Sequence, residues 1–214
     1  MARKNLKRIP WAASVLIILF MSWLCFPVFY SSTVKAETAQ VAPVSPQEKP
    51  LIVYYTLTGN NKIIAEELKK QLNADIAELK TVSERSGLWG FVVSGYENIF
   101  DKDADLQPFT ADLAARNPII LCSPVWMQKI SSPARVFLKN PALKGKDLYL
   151  FASFKGRWGE DKEAELVKNL TGMGIVVKGV YRMVLGKKTE DEIKKEVAKQ
   201  LEKKPILQKA AEAS

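Results

Sequence analysis

The chain contains no histidine and only two cysteines, Cys25 and Cys122. Without imidazole there is no Ser-His-Asp triad, no Cys-His dyad and no histidine-ligated zinc. Cys25 falls in an N-terminal segment that reads as a leader, so the rest of the chain keeps one thiol. A single thiol forms no internal disulfide, CxxC redox pair or thiolate metal cage. Redox chemistry here therefore needs an organic cofactor. The lysine-serine pair of a Walker A loop and the GxGxxG dinucleotide fingerprint are also missing, and no internal repeat is present.

The chain has 214 residues, of which 47% are hydrophobic and 26% charged, a globular composition long enough for one domain with appendages. Residues 1–36 have the form of a targeting segment. Arg3, Lys4, Lys7 and Arg8 precede an uncharged stretch from Ile9 to Val34. Val34-Lys35-Ala36 suits a signal peptidase cutting before Glu37. The alternative is an uncleaved anchor, since residues 9–34 are long enough to cross ~30 Å of hydrocarbon. Either way the rest of the chain is expected to be exported, to the periplasmic or extracellular side. Trp23 is too bulky for the small residues that precede a lipoprotein cysteine, which argues against Cys25 as a lipid attachment site.

The formal charge of +9 is partly an effect of the leader, which holds five of the 32 basic residues and no acid. The remainder carries 27 basic against 23 acidic residues, or +4, too mild and too interspersed to point to nucleic acid. Residues 37–50, with three prolines, read as a tether, and residues 204–214 as a loose tail.

Between them strands and helices alternate. Leu51–Tyr55, Pro118–Cys122 and Leu148–Ser153 are unbroken apolar runs, expected of strands buried on both faces. Asp75–Lys80 and Ile175–Val184 complete five strands. Helices are predicted at 61–72, 132–139 and 161–171, with a last one opened by the capping box Thr189–Glu192. A further helix is expected somewhere in 83–115. This rhythm predicts an α/β three-layer sandwich with a five-stranded parallel sheet over 51–203.

Ligands of such sheets bind beyond the carboxyl ends of the strands. Three segments lie there. Thr56-Leu57-Thr58-Gly59-Asn60-Asn61 leads into a helix N-terminus, where free amides and the helix dipole suit one phosphate. The plain alternative is a turn that these residues simply permit. Ser123-Pro124-Val125-Trp126-Met127 places an aromatic after the second buried run, either to stack a flat ligand or to close the sheet edge. Ser153-Phe154-Lys155-Gly156-Arg157-Trp158 offers glycine, two aromatics and positive charge, or is a flexible solvated loop. Cys122 is expected in the core, and Gly172-Met173-Gly174 as a helix stop. The three segments converge on one sheet edge and together suit a flat ring on a single-phosphate tail.

LIVYYTLTGNNKIIAEEL, SPVWMQKISSPARVFL and ALKGKDLYLFASFKGRWG resemble the phosphate loop and the two ring-flanking segments of flavodoxin-like proteins. SGLWGFVVSGYENIF is similar to an aromatic-rich segment of one branch of that family. The resemblance implies strand order 2-1-3-4-5 and FMN as cofactor. It implies that Thr56, Leu57, Thr58, Gly59 and Asn60 hold the phosphate, with Asn61 standing where the family usually has threonine. Ser123, Pro124, Val125, Trp126, Met127, Ser153, Phe154, Lys155 and Gly156 would meet the ring, and Trp158 would add aromatic surface. Lys155 and Arg157 depart from the family's small-residue pattern, and positive charge there would raise the reduction potential. The expected function is an exported electron carrier serving a redox partner protein or membrane-associated donor. One alternative is an FMN-dependent reductase of a quinone or similar small acceptor. The other is a flavin-free binding domain on the same scaffold. Attachment to a membrane through residues 9–34 accompanies the anchor reading.

Overall fold

The computed structural model describes residues 49–85 and 87–206. The predicted leader and all but the last two residues of the predicted tether lie outside the described residues. Strands are β1 (Leu51–Tyr54), β2 (Asp75–Glu78), β3 (Ile119–Trp126), β4 (Lys129–Ile130), β5 (Asp147–Phe154) and β6 (Val176–Val184). Helices are α1 (Asn60–Leu72), α2 (Gly87–Ile99), α3 (Ser132–Leu138), α4 (Glu160–Gly172) and α5 (Glu190–Lys203). Five strands pair in parallel in the order β2-β1-β3-β5-β6, and the two-residue β4 adds antiparallel to the end of β3. Without β4 this is the expected order 2-1-3-4-5, the doubly wound flavodoxin-like arrangement.

Alternation along each strand splits the apolar runs between two cores. Leu51, Val53, Ile119, Leu121, Leu148 and Leu150 face one side with Ala134, Phe137 and Leu138 of α3 and Leu170 of α4. Ile52, Ile120, Cys122, Phe151 and Met183 face the other with Ile64 and Leu68 of α1 and Ile193 and Val197 of α5. Each large aliphatic side chain so buried contributes about 1.5–3 kcal/mol, which is why the central strands read as continuous apolar runs. Cys122 is fully buried in the second core, and burial pushes its thiol pKa up.

Helix ends follow their local chemistry. Thr189 and Glu192 form the capping box: the Thr189 hydroxyl accepts from the Glu192 amide at 3.4 Å, and the Glu192 carboxylate accepts from the Thr189 amide at 2.7 Å. The stop of α4 uses Gly174 at φ 82°, with the Ile175 amide returning to the Leu170 carbonyl at 3.1 Å. Two expectations change. Residues 204–206 are not loose: Tyr181 Oη donates to the Lys204 carbonyl at 2.7 Å and Tyr149 Oη to the Ile206 carbonyl at 2.9 Å. Ser123–Trp126 is not an exit loop but the outer half of β3. Pro124 is tolerated there because β1 pairs with β3 only as far as Cys122, so its missing N–H leaves no gap on that side. The turn after it is Met127-Gln128, both left-handed at φ 49° and 65°, the geometry of a tight hairpin.

Candidate functional site

Beyond the carboxyl ends of β1 and β3, where the winding of the sheet reverses, lies a cavity of about 480 Å³. The chain leaves β1 and turns into α1 at Gly59, whose φ of 85° is left-handed and favours glycine. The Gly59 carbonyl takes the Lys62 and Ile63 amides at 3.0 and 3.2 Å. Among the described residues, no chain acceptor takes the amides from Leu57 to Asn61. No acidic residue occupies the first turn of α1, and no side chain caps it. The positive end of the helix dipole is therefore unopposed.

Three buried polar atoms stand at this end without a hydrogen-bond partner: Thr56 Oγ1, Asn61 Oδ1 and Ser94 Oγ. Asn61 is 2% exposed and Ser94 1%. Leaving such groups unpaired costs about 1–3 kcal/mol each, so the arrangement is suited to a ligand that pairs them. Thr56 and Ser94 can donate through hydroxyls, whereas Asn61 Oδ1 can only accept and calls for a donor on the ligand.

Leu57, Thr58, Asn60 and Asn61 line the cavity from the β1–α1 loop. Pro124, Val125, Trp126 and Met127 line it from β3 and its turn, and Ser153, Phe154, Lys155 and Gly156 from the end of β5. Trp126 is half-buried and set edge-on to Tyr55, with ring centroids 6.2 Å apart. Burial raises the Tyr55 hydroxyl pKa, while the Arg85 charge acts against that rise. No carboxylate lines the cavity; Lys155 and Arg157 do. The site is thus an anion-compatible, donor-rich pocket with an aromatic wall. It has no general acid or base in the acidic range.

Four predicted residues stand elsewhere. Gly59 shapes the loop without lining the cavity. Thr56 faces a neighbouring depression with Tyr55 and Arg85. Ser123 is fully buried and hydrogen-bonded to Ser131 at 3.0 Å. Trp158 is 2% exposed and packs edge-on to Phe154 at 6.1 Å, with Arg182 5.2 Å from its ring centre. It supports the floor and offers no aromatic surface to a ligand. Its loop turns inward because Arg182, paired with Glu163 at 2.5 Å, also donates to the Trp158 carbonyl.

The sequence reading missed Phe91, Ser94 and Gly95 of α2, together with Gln128 and Leu185; Arg157, read as positive charge beside the ring, lines the cavity. Gln128 holds the third segment in place, donating to the Arg157 carbonyl at 2.6 Å and accepting from the Gly159 amide at 2.7 Å. Helix α2 is fixed by polar contacts: Arg85 grips Glu97 through two bonds of 2.5 and 2.8 Å, and Asn98 donates to the Trp126 carbonyl at 3.0 Å.

A larger depression of about 560 Å³ lies against edge strand β2, lined by residues such as Ile76, Gln107 and Phe109. It is not at the reversal of the sheet, and none of the unpartnered buried polar atoms lines it. Among the described residues no cluster of three His, Cys, Asp or Glu could hold a metal ion. No helix among them is long and apolar enough to cross a membrane.

The fold is that of a flavodoxin-like α/β sandwich, with a cavity at its switch point. No protein-family model matches the chain, and no curated protein matches it in sequence. Solved structures do. A flavoprotein from Lactobacillus acidophilus NCFM, determined in complex with FMN, superposes with a TM-score of 0.54 at 20% identity, covering 63% of this chain and 93% of that one. The apo form of the flavoprotein from that organism gives 0.52 at 23% identity, covering 64% and 93%. A protein from Bacteroides uniformis ATCC 8492 described as a flavoprotein gives 0.58 at 18% identity, covering 72% and 99%. These likenesses establish the fold.

Proposed function

We propose that this chain binds FMN in the 480 Å³ cavity and serves as an electron-transfer flavoprotein on the exported side of a membrane. The carrying observation is the open N-terminus of α1, where loop amides without a chain acceptor adjoin a cavity lined by Thr58, Asn60 and Asn61, walled by Trp126 and free of carboxylates. That donor set fits a phosphate monoester. The structural neighbours support the reading, since one of them was determined with FMN. When bound, FMN supplies one- or two-electron chemistry; the chain's residues bind it, orient it and set the charge around it. The β1–α1 loop amides and Thr58 would hold the phosphate, and Trp126 and Ser153 would flank the ring. Lys155 and Arg157 put positive charge at the mouth, which favours an anionic reduced ring and a higher potential.

A second reading is reduction of a small apolar acceptor. Phe91 and Met127, both exposed at the rim, leave the mouth open and apolar.

The test is titration of the purified full chain with FMN and, separately, riboflavin, followed by flavin fluorescence and absorbance. One FMN bound per chain, with riboflavin at least tenfold weaker, is expected, since charge-assisted hydrogen bonds contribute about 1.5–3 kcal/mol. Absence of FMN binding would overturn both redox readings and leave a flavin-free binding domain. Turnover with a small quinone and a chemical reductant would favour the second reading.

A further inference from the structure

Helix α2 is built inside out. Its buried residues are Gly90, Ser94, Glu97 and Asn98. Its apolar residues point to solvent: Leu88 is 82% exposed, Trp89 70%, Val92 53%, Tyr96 53% and Ile99 54%. Positions 88, 92, 96 and 99 form one stripe at helical spacing, and Phe100 extends it, its ring 4.8 Å from that of Tyr96. Phe91 and Met127 carry the apolar surface onto the cavity rim. A surface helix normally shows the reverse pattern, and an uncovered patch of this kind marks a contact.

We propose that this face rests on the surface of a lipid bilayer. The only charged residue of α2 is Glu97, which is turned inward against Arg85. The outward residues include Trp89 and Tyr96, the amphipathic ring types that settle at a membrane–water interface, and the apolar Phe91. Lys155 and Arg157 stand exposed at the adjoining rim, where anionic head groups would meet them. Of the carboxylates that follow the helix, Asp101 and Asp103 are paired with Lys129 and Lys139 at 2.7 and 2.5 Å. The chain preceding the structure carries an uncharged run over residues 9–34, joined to β1 by residues 35–50, which span at most about 60 Å when fully extended. Entry of that run into a bilayer would hold the domain within the connector's length of the same surface. The stripe also lacks the flanking charges that fix register between two copies of a helix. The inference does not depend on what fills the cavity, so failure of FMN binding would leave it standing.

The experiment uses the full chain with Cys25→Ser and a nitroxide on Val92→Cys, mixed with phosphatidylcholine vesicles containing phosphatidylglycerol. A control label sits on Lys199→Cys, exposed on α5. Cys122 is fully buried and does not compete for label. Expected is a several-fold gain of oxygen over nickel-chelate accessibility at 92 and none at 199. Adding Trp89→Glu should reverse that gain. A label at 92 that stays nickel-accessible on vesicles overturns the proposal. So does spin–spin broadening between labels at 92, which would mean that a second copy covers the face.

Discussion

The N-termini of α1 and α5 are the same backbone structure treated in opposite ways. At α5 the chain satisfies itself: Thr189 and Glu192 cap each other's amides, and Glu190, Asp191 and Glu192 oppose the dipole. At α1 the first turn is Asn60-Asn61-Lys62, without an acid, a side-chain cap or a chain acceptor for the loop amides. Both helices pack on the same core through comparable residues, Ile64 and Leu68 against Ile193 and Val197. The difference lies only at the ends. The start of α1 is left open where the sheet reverses, beside the proposed FMN site.

The largest expected effect tests the shared part. Ile64→Ala, at a fully buried site, should lower stability by about 2–5 kcal/mol. The FMN affinity of the fraction still folded should not change, and paired denaturation and fluorescence titrations would show this. Next, Asn60→Asp makes α1 resemble α5. It should weaken FMN by about tenfold to a hundredfold through repulsion of the phosphate, equivalent to roughly 1.4–2.7 kcal/mol. The apoprotein should gain about 0.3–1 kcal/mol from the dipole. Effects of opposite sign on binding and on melting are the signature, and a fall in both would count against the comparison. Thr189→Ala then opens α5: stability should drop by about 1 kcal/mol with FMN binding unchanged.

The smallest effect is with pH. Hydrogen bonds from the Thr189 amide and hydroxyl hold the Glu192 carboxyl below its ordinary range. A depressed carboxylate stabilises above its unfolded pKa, and that stability is lost as pH falls through the folded value. Burial pushes Tyr54 and Tyr181 up to about 12, so their contribution is complete below about 10 and lost as pH rises toward 12. With no histidine between these limits, the melting temperature should be level from about pH 6 to 9 and fall on both sides. A step near pH 6.5 in a thermal scan would contradict this assignment.

Much of this was legible in the sequence. Continuous apolar runs gave the buried strands because each contributes to two cores at once, and the Thr189–Glu192 spacing gave the cap. The Thr56–Asn61 loop was readable because a strand feeding a helix leaves few places for its amides to go. Other parts were hidden for physical reasons. The Met127–Gln128 turn carries no glycine or asparagine, so nothing local announces its left-handed backbone, and β3 was cut short at Cys122. Trp158 was assigned to the ligand because loop spacing does not say which side faces inward. That choice is made by Arg182, on a strand distant in sequence. Phe91, Ser94 and Gly95 reach the pocket from a helix whose apolar stripe faces outward, so its periodicity pointed away from the pocket.

The burial of Cys122 has a consequence for counting electrons. With its sulfur sealed between β3 and the α1–α5 layer and its thiolate suppressed, the folded domain has no exchangeable thiol. It can neither be trapped as a mixed disulfide in an oxidising compartment nor draw reducing equivalents from one. In a Cys25→Ser chain, a thiol reagent should react with nothing until the protein unfolds, and then with one group. Every equivalent consumed in a reductive titration of the native, cofactor-loaded protein would therefore belong to the cofactor.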